Sequence, residues 1–175
     1  MQIVKTDIPD LLVLKPRVFE DERGCFFESY NKKTLLNLGI DIDFVQDNQS
    51  VSKYGVLRGL HFQSGEFAQT KLVRALQGRI LDVAVDLREG SGTYGAHFSI
   101  ELSDENKLQL LVPKGFAHGF VVLSEKAEVL YKCDEYYNQP SEGGVRYDDP
   151  ALNIDWGISH EDMILNEKDL LLPYL

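Results

Sequence analysis

The chain reads as an all-β protein folded into a double-sheet jelly roll with a few short helices. Three observations carry that reading. Short runs rich in Val, Leu, Ile, Phe and Tyr recur along most of the chain, broken by Gly, Pro, Ser and Asn at intervals of about 8–12 residues. In the clearest of them, "RILDVAVDL", Leu81, Val83, Val85 and Leu87 alternate with Asp82, Ala84, Asp86 and Arg88, the period-two pattern of a half-buried strand. Helical periodicity is confined to one convincing stretch. Many short antiparallel strands with few helices are best used by two packed sheets.

In chain order, "CFFESY" (25–30) is the first clear strand. "NKKTLLNLGI" (31–40) is the helix: Asn31 can cap its N-terminus, Leu35, Leu36 and Leu38 are apolar, and Gly39 ends it. Strands follow in "FVQDNQSVS" (44–52), "VLRGLHFQ" (56–63) and "TKLVRALQG" (70–78). "RILDVAVDLREGSGTYGAHFSIELS" (79–103) is a hairpin turning on its Gly-rich middle. Further strands lie in "LQLLVPKG" (108–115), "GFVVLSE" (119–125) and "AEVLYKCDEYY" (127–137), while 160–175 reads equally as turns or as a short helix.

Composition narrows the functional classes. At 175 residues with 43% hydrophobic content, the chain can close one good core, so one domain is expected over residues 1–175. A net charge of −10 argues against a general nucleic-acid binder, which needs a basic face to neutralise phosphates. A small anionic ligand held by a local cluster of cations remains compatible with it. Cys25 and Cys133 form no CxxC pair, so neither a disulfide framework nor a thiolate metal site is indicated. With no signal-like N-terminal segment and no apolar run near the ~20 residues of a spanning helix, a cytoplasmic protein is expected.

The strand at 56–63 raises a chemical question, because a buried strand gains nothing from Arg58, His61 and Gln63. In a regular strand Arg58 and His61 have opposite parity. Both can face one cavity only if the backbone is irregular between them, and Gly59 is a natural bulge residue. The Gly55–His61 segment and the P-x-G-x-x-H run from Pro113 to His118 together resemble the two cupin motifs. A cupin metal site would add a second imidazole where Gln63 stands, and Glu66 is off the usual carboxylate spacing. His61 and His118 alone are short of ligands, so no metal is expected.

A fuller likeness then covers nearly the whole chain. "FEDERGCFFESYN", "FVQDNQS", "GVLRGLHFQ", "AQTKLVRALQGRILDVAVDLREGS", "LLVPKGFAHGFVVLSEKAEVLYKCDEYY", "VRYDDPALNIDW" and "NEKD" resemble, in order, the dTDP-4-dehydrorhamnose 3,5-epimerase family. The resemblance implies a cupin-type jelly roll and an isomerase that inverts C3 and C5 of a dTDP-linked 4-keto-6-deoxyhexose without a cofactor. It implies His61 as the base, Tyr131 as the opposing acid, Lys71 as the oxyanion partner and Asp169 as the carboxylate of a dyad with His61. Arg58 would hold the diphosphate, helped by Arg23, Gln46 and Asn48. Phe19 and an aromatic of the Tyr136–Tyr137 pair would cover the thymine, with Tyr137 and Glu28 counted in the substrate-binding set. His118 is expected to contact substrate or water, and Asp82 to be a polar group near Lys71 or His61. A homodimer is also implied, its N-terminal segment covering an edge of the neighbour's sheet.

Plainer readings stand beside these. Asp82 can be a structural partner of a neighbouring strand, Tyr131 a packed barrel tyrosine, Phe19 a core residue and Arg23 a solvated turn residue. His97 and His160, without motifs around them, read as ordinary surface or pairing residues. A family member inverting one centre, a metal cupin or a sugar-binding cupin without catalysis are the competing functions.

Overall fold

The computed structural model describes residues 1–175. Its strands are β1 (Gln2–Lys5), β2 (Leu12–Lys15), β3 (Val18–Asp21), β4 (Gly24–Phe27), β5 (Gln46–Lys53), β6 (Leu57–Gln63), β7 (Lys71–Gln77), β8 (Arg79–Asp86), β9 (His97–Ser103), β10 (Gln109–Val112), β11 (Phe116–Val122), β12 (Lys126–Cys133) and β13 (Glu142–Gly144). Two short helices join them, α1 (Lys32–Asn37) and α2 (Glu167–Leu170). No helix is long and apolar enough to cross a membrane. As expected, Asn31 caps α1, its side chain accepting from the Thr34 amide.

One sheet runs β1-β2-β10-β7-β12-β5 and the other β13-β6-β11-β8-β9, with every pairing antiparallel. This is the expected two-sheet jelly roll. Side chains alternate across each strand, so each sheet turns one set inward. Ile80 and Ala84 of β8, Phe116, Phe120 and Val122 of β11, Val73 and Ala75 of β7, and Ala127 and Val129 of β12 form the inner core.

The expected half-buried face of β8 is a correction. Val83 and Val85, which turn away from the inner core, are fully buried too. With Leu57, Leu60, Ala117 and Val121 they lie under Val145, Tyr147, Leu152 and Trp156, contributed by the segment after β13. The amphipathic alternation of "RILDVAVDL" therefore does not mark a solvated face. Its polar inward residue, Asp82, instead marks where the barrel interior becomes a site.

The β3–β4 hairpin forms a separate two-stranded sheet. Phe19 and Phe26 on it are largely exposed, so Phe19 is not a core residue.

The irregularity in β6 is real and places the site. Leu57 and Leu60 both join the outer cluster, whereas Arg58 and His61 both turn inward. The register with β11 shifts between His118 and Phe120, opposite this point. Gly59 has φ +128°, and a Cβ built there would lie 2.5 Å from the Gly119 Cα and 2.9 Å from the His118 oxygen. A Cβ on Gly119 would in turn meet the Arg58 oxygen at 2.6 Å. Gly59→Ala should therefore cost about 3 kcal/mol or more in stability, read as a lower urea midpoint together with lost turnover; an unchanged midpoint would show that the crossing tolerates a side chain.

Candidate active site

Two walls and one strap build the cleft. The β6–β11 wall supplies Arg58, His61 and His118, with His61 and His118 directly opposed in the register. The facing sheet supplies Lys71 from β7, Tyr131 from β12 and Ser50 from β5. Asn166 and Asp169 come from the start of α2. A second mouth, sharing His61, Lys71 and Tyr131, is lined by Asn48, Gln63, Gln69, Tyr137 and Glu142. Packed sheets stand about 10 Å apart, so a ring held between them meets one set of side chains on each face.

His61 is paired through Nε2 with Asp169 Oδ1 at 2.7 Å. Asp169 is 1% exposed, and its amide donates to Asn166 Oδ1, the cap of α2, at 2.8 Å. That pairing holds the ring and leaves Nδ1 as the atom free to exchange a proton. The second histidine is held in the same manner: His118 Nε2 lies 2.9 and 3.0 Å from the two oxygens of Asp82. Asp82 is wholly buried with both oxygens on His118, the structural partner of a neighbouring strand that the plainer reading gave, and it still acts electrostatically on Lys71. Its inward parity on β8 forces it to pair with whatever β11 presents, and that is His118.

Two cations in the cleft lack carboxylate partners. Lys71 and Arg58 are in no ion pair, and Arg58 Nε donates only to Ser52 Oγ, at 3.2 Å. Burial pulls the Lys71 ammonium below the ordinary lysine range, with Cys133, Asp82 and Glu142 opposing it electrostatically. Burial likewise pushes the Tyr131 phenol up, and Cys133 adds to this while Arg58 and Asn48 oppose it. The Tyr131 phenol therefore keeps its proton at neutral pH. The Lys71 Nζ lies 5.9 Å from the centre of its ring.

The chain has two buried side-chain polar atoms without a hydrogen-bond partner, Ser50 Oγ and Asp169 Oδ2, and both residues line this cleft. Orphaned polar atoms are costly in a protein interior, on the order of 1–3 kcal/mol each. Their coincidence in one cavity suits a ligand rich in hydroxyl groups.

Gln63 explains itself structurally. Its Nε2 donates to the Phe67 and Tyr136 carbonyls at 2.7 and 3.1 Å, and its Oε1 accepts from the Asn138 amide at 2.8 Å. An amide so used holds the loop carrying Tyr137 against β6. No three His, Cys, Asp or Glu side chains converge anywhere in the fold. Gln46 supports the same loop, its Oε1 accepting from the Tyr137 amide at 3.0 Å and its Nε2 donating to Asn48 Oδ1 at 3.0 Å.

Of the sequence candidates, His61, Lys71, Arg58, Asn48, His118, Tyr131, Tyr137 and Asp169 line the cleft or its second mouth, and Gln46 buttresses it. Phe19, Arg23 and Glu28 do not reach it within this chain. Arg23 pairs with Asp21 at the hairpin tip, and Glu28 accepts from Asn31 Nδ2 and Thr34 Oγ1 beside α1. The reason is topological, since β3 and β4 pair only with each other. Sequence reasoning missed Ser50, Ser52, Glu142 and Asn166. For the serines a signal existed: Gln46, Asn48, Ser50 and Ser52 recur at every second position of β5, a polar face turned inward. His160, by contrast, is an ordinary partner, its ring 5.6 Å from that of Tyr147.

Known proteins resemble the chain over nearly its whole length. The model of the family described as dTDP-4-dehydrorhamnose 3,5-epimerase matches residues 5–175. The dTDP-4-dehydrorhamnose 3,5-epimerase of Salmonella typhimurium is 54% identical, over all of this chain and 96% of that protein. The crystal structure of the Elizabethkingia anophelis dTDP-4-dehydrorhamnose 3,5-epimerase superposes with a TM-score of 0.95 at 57% identity, covering 99% of this chain and 96% of that one. A Legionella pneumophila dTDP-6-deoxy-D-glucose-3,5-epimerase, solved with dTDP-4-keto-L-rhamnose, gives 0.94 at 48% identity, covering 99% and 92%.

Removing the amide of Gln63 while keeping its volume tests the loop anchor. Gln63→Leu should lose about 1–3 kcal/mol in urea unfolding and speed hydrogen exchange of the Asn138 amide, which Gln63 accepts from; unchanged exchange there would separate Gln63 from the Tyr137 loop.

Proposed function

The chain belongs to the dTDP-4-dehydrorhamnose 3,5-epimerase family, and from that premise we infer how its own residues invert C3 and C5 of dTDP-4-dehydro-6-deoxy-D-glucose to give dTDP-4-dehydro-L-rhamnose. The observation that carries the reading is the opposition across one cleft of a carboxylate-held histidine and a protonated tyrosine, with an unpaired lysine between the walls.

The C4 ketone acidifies the hydrogens on C3 and C5, because the carbanion left behind delocalises onto oxygen. Nδ1 of His61 takes the proton, and Asp169 stabilises the imidazolium that forms. The Nζ of Lys71 donates to the developing enolate oxygen, the kind of interaction worth about a hundredfold or more in rate. Tyr131 then delivers its proton to the opposite face of the same carbon, which inverts it. Proton transfer from a phenol to an enolate is downhill, so a raised phenol pKa still permits it. Exchange with solvent returns the proton to Tyr131 and removes it from His61 before the second inversion.

Arg58 and Ser52 supply the diphosphate contact, a fork of donors suited to phosphate oxygens. Asn48 and Tyr137 extend toward the nucleoside, while Ser50 and His118 face the sugar. Phe19, Arg23 and Glu28 enter this scheme from a second copy. The exposed β3–β4 hairpin is unpaired in its own chain and carries two of them, so a homodimer that exchanges hairpins would complete each cleft.

Base and acid are separable by isotope exchange. His61→Asn should abolish exchange of the C3 and C5 protons with solvent deuterium in NMR, whereas Tyr131→Phe should retain exchange while epimer formation falls by about 10²–10⁴. Equal loss of exchange in both variants, with substrate affinity intact, would refute the two-sided assignment.

The dimer is tested in solution. Light scattering at micromolar concentration should give twice the 19.9 kDa chain mass, and Arg23→Ala should raise KM without changing that mass. A fully active monomer would refute the exchange.

A further inference from the structure

Asp169 reaches His61 from a segment with little else to hold it in place. Among residues 166–175 it alone is buried; Leu170, Leu171 and Tyr174 are exposed, and Leu172 is half-buried. A buried carboxylate with one unpartnered oxygen disfavours its own position, because the cost of desolvating the charge is only partly offset by His61. The strap must therefore be held from outside, and most of its fastening converges on Arg146.

Arg146 Nη1 donates to the Leu170 carbonyl at 3.1 Å, one residue from Asp169. The Arg146 amide donates to the Pro173 carbonyl at 2.8 Å. Its guanidinium lies 5.0 Å from the ring centre of Tyr174. The guanidinium is itself fixed by a forked pair with Asp148, both contacts at 2.8 Å. Between these points Leu172 rests on Gly144, where a Cβ would meet Leu172 Cδ1 at 2.7 Å, and Gly144 is the register partner of His61. The strap is thus clamped directly behind the residue its carboxylate serves. Lys168 adds a 3.2 Å contact to Glu142, and Asp149 accepts from the Leu175 amide at 2.6 Å.

We propose that Arg146 is a positioning residue of the reaction: by clamping the C-terminal strap at Leu170, Pro173 and Tyr174, it holds Asp169 against His61. This rests on the reading of His61 and Asp169 as the proton-abstracting dyad. Arg146 lies outside both mouths of the cleft, so its loss leaves substrate affinity alone and acts on the chemical step.

The test compares Arg146→Ala and Tyr174→Ala with Asp169→Asn, alone and combined. Each single strap variant should lower kcat about tenfold or more, as a misplaced catalytic group does, and slow solvent deuterium exchange to match, with KM and dTDP affinity within twofold of the parent. Added to Asp169→Asn, Arg146→Ala should cost less than twofold further, because the carboxylate it positions is already gone. Should Arg146→Ala fail to fold, Tyr174→Ala carries the comparison, since it spares the pair with Asp148. Parental kcat in the strap variants beside an impaired Asp169→Asn, or a full additional loss in the double variant, would overturn the clamp. Parental kcat and exchange in Asp169→Asn itself would instead overturn the dyad.

Discussion

Gly59 and Gly119 meet backbone to backbone where β6 crosses β11, and the chemistry of the cleft depends on that contact. Two strands can approach so closely only where neither carries a Cβ. The approach lets β6 slip its parity, so that Arg58 and His61 share the inner surface while Leu57 and Leu60 share the outer one. A regular strand would turn either Arg58 or His61 into the apolar layer beneath Tyr147 and Trp156. The penalty for burying such a group unpaired is several kcal/mol, comparable to the net stability of a domain. The opening in the ladder is thus both a structural cost and the condition for having a site.

Charge is distributed to the same end. The chain is strongly acidic overall, yet the two cations of the cleft are left without carboxylate partners, while the two cleft histidines each have one. Pairing Arg58 or Lys71 internally would neutralise the donors an anionic substrate and an enolate need. Pairing the histidines orients each ring. The net charge then acts at long range and the site at short range, and screening over about 8–10 Å keeps the two separate.

The cleft is also shared among parts of unequal firmness. Tyr131 and His118 lie on β12 and β11, strands bonded on both sides, and inherit the rigidity of two sheets. The carboxylate behind His61 arrives on a mostly exposed strap, and the loop with Tyr137 hangs on Gln63 and Gln46. His61 and Tyr131 thus lie on the walls, while the carboxylate behind His61 and the loop with Tyr137 lie on segments held by a few hydrogen bonds. Such a division lets substrate enter without loosening the chemistry.

Much was legible in the sequence because it was local. Alternation, turn residues and the Asn31 cap depend on neighbours in the chain, so the all-β class, the strands β4 to β12 and the helix at 31–40 follow from the residues themselves, whereas β1, β2, β3 and β13, three or four residues each, carry too little pattern to be read. The need for an irregularity at Gly59 was also legible, since parity is arithmetic. Resemblance to a family supplied the roles of His61, Lys71, Tyr131 and Asp169, which no spacing could: 108 residues separate the dyad. Tertiary structure alone decided the rest. It paired Asp82 with His118, spent the amide of Gln63 on three backbone groups, buried both faces of β8 and left Phe19, Arg23 and Glu28 outside the cleft. Each of these turns on which strands and loops meet across the barrel, and that is set by the summed packing of the whole core, not by any window of sequence.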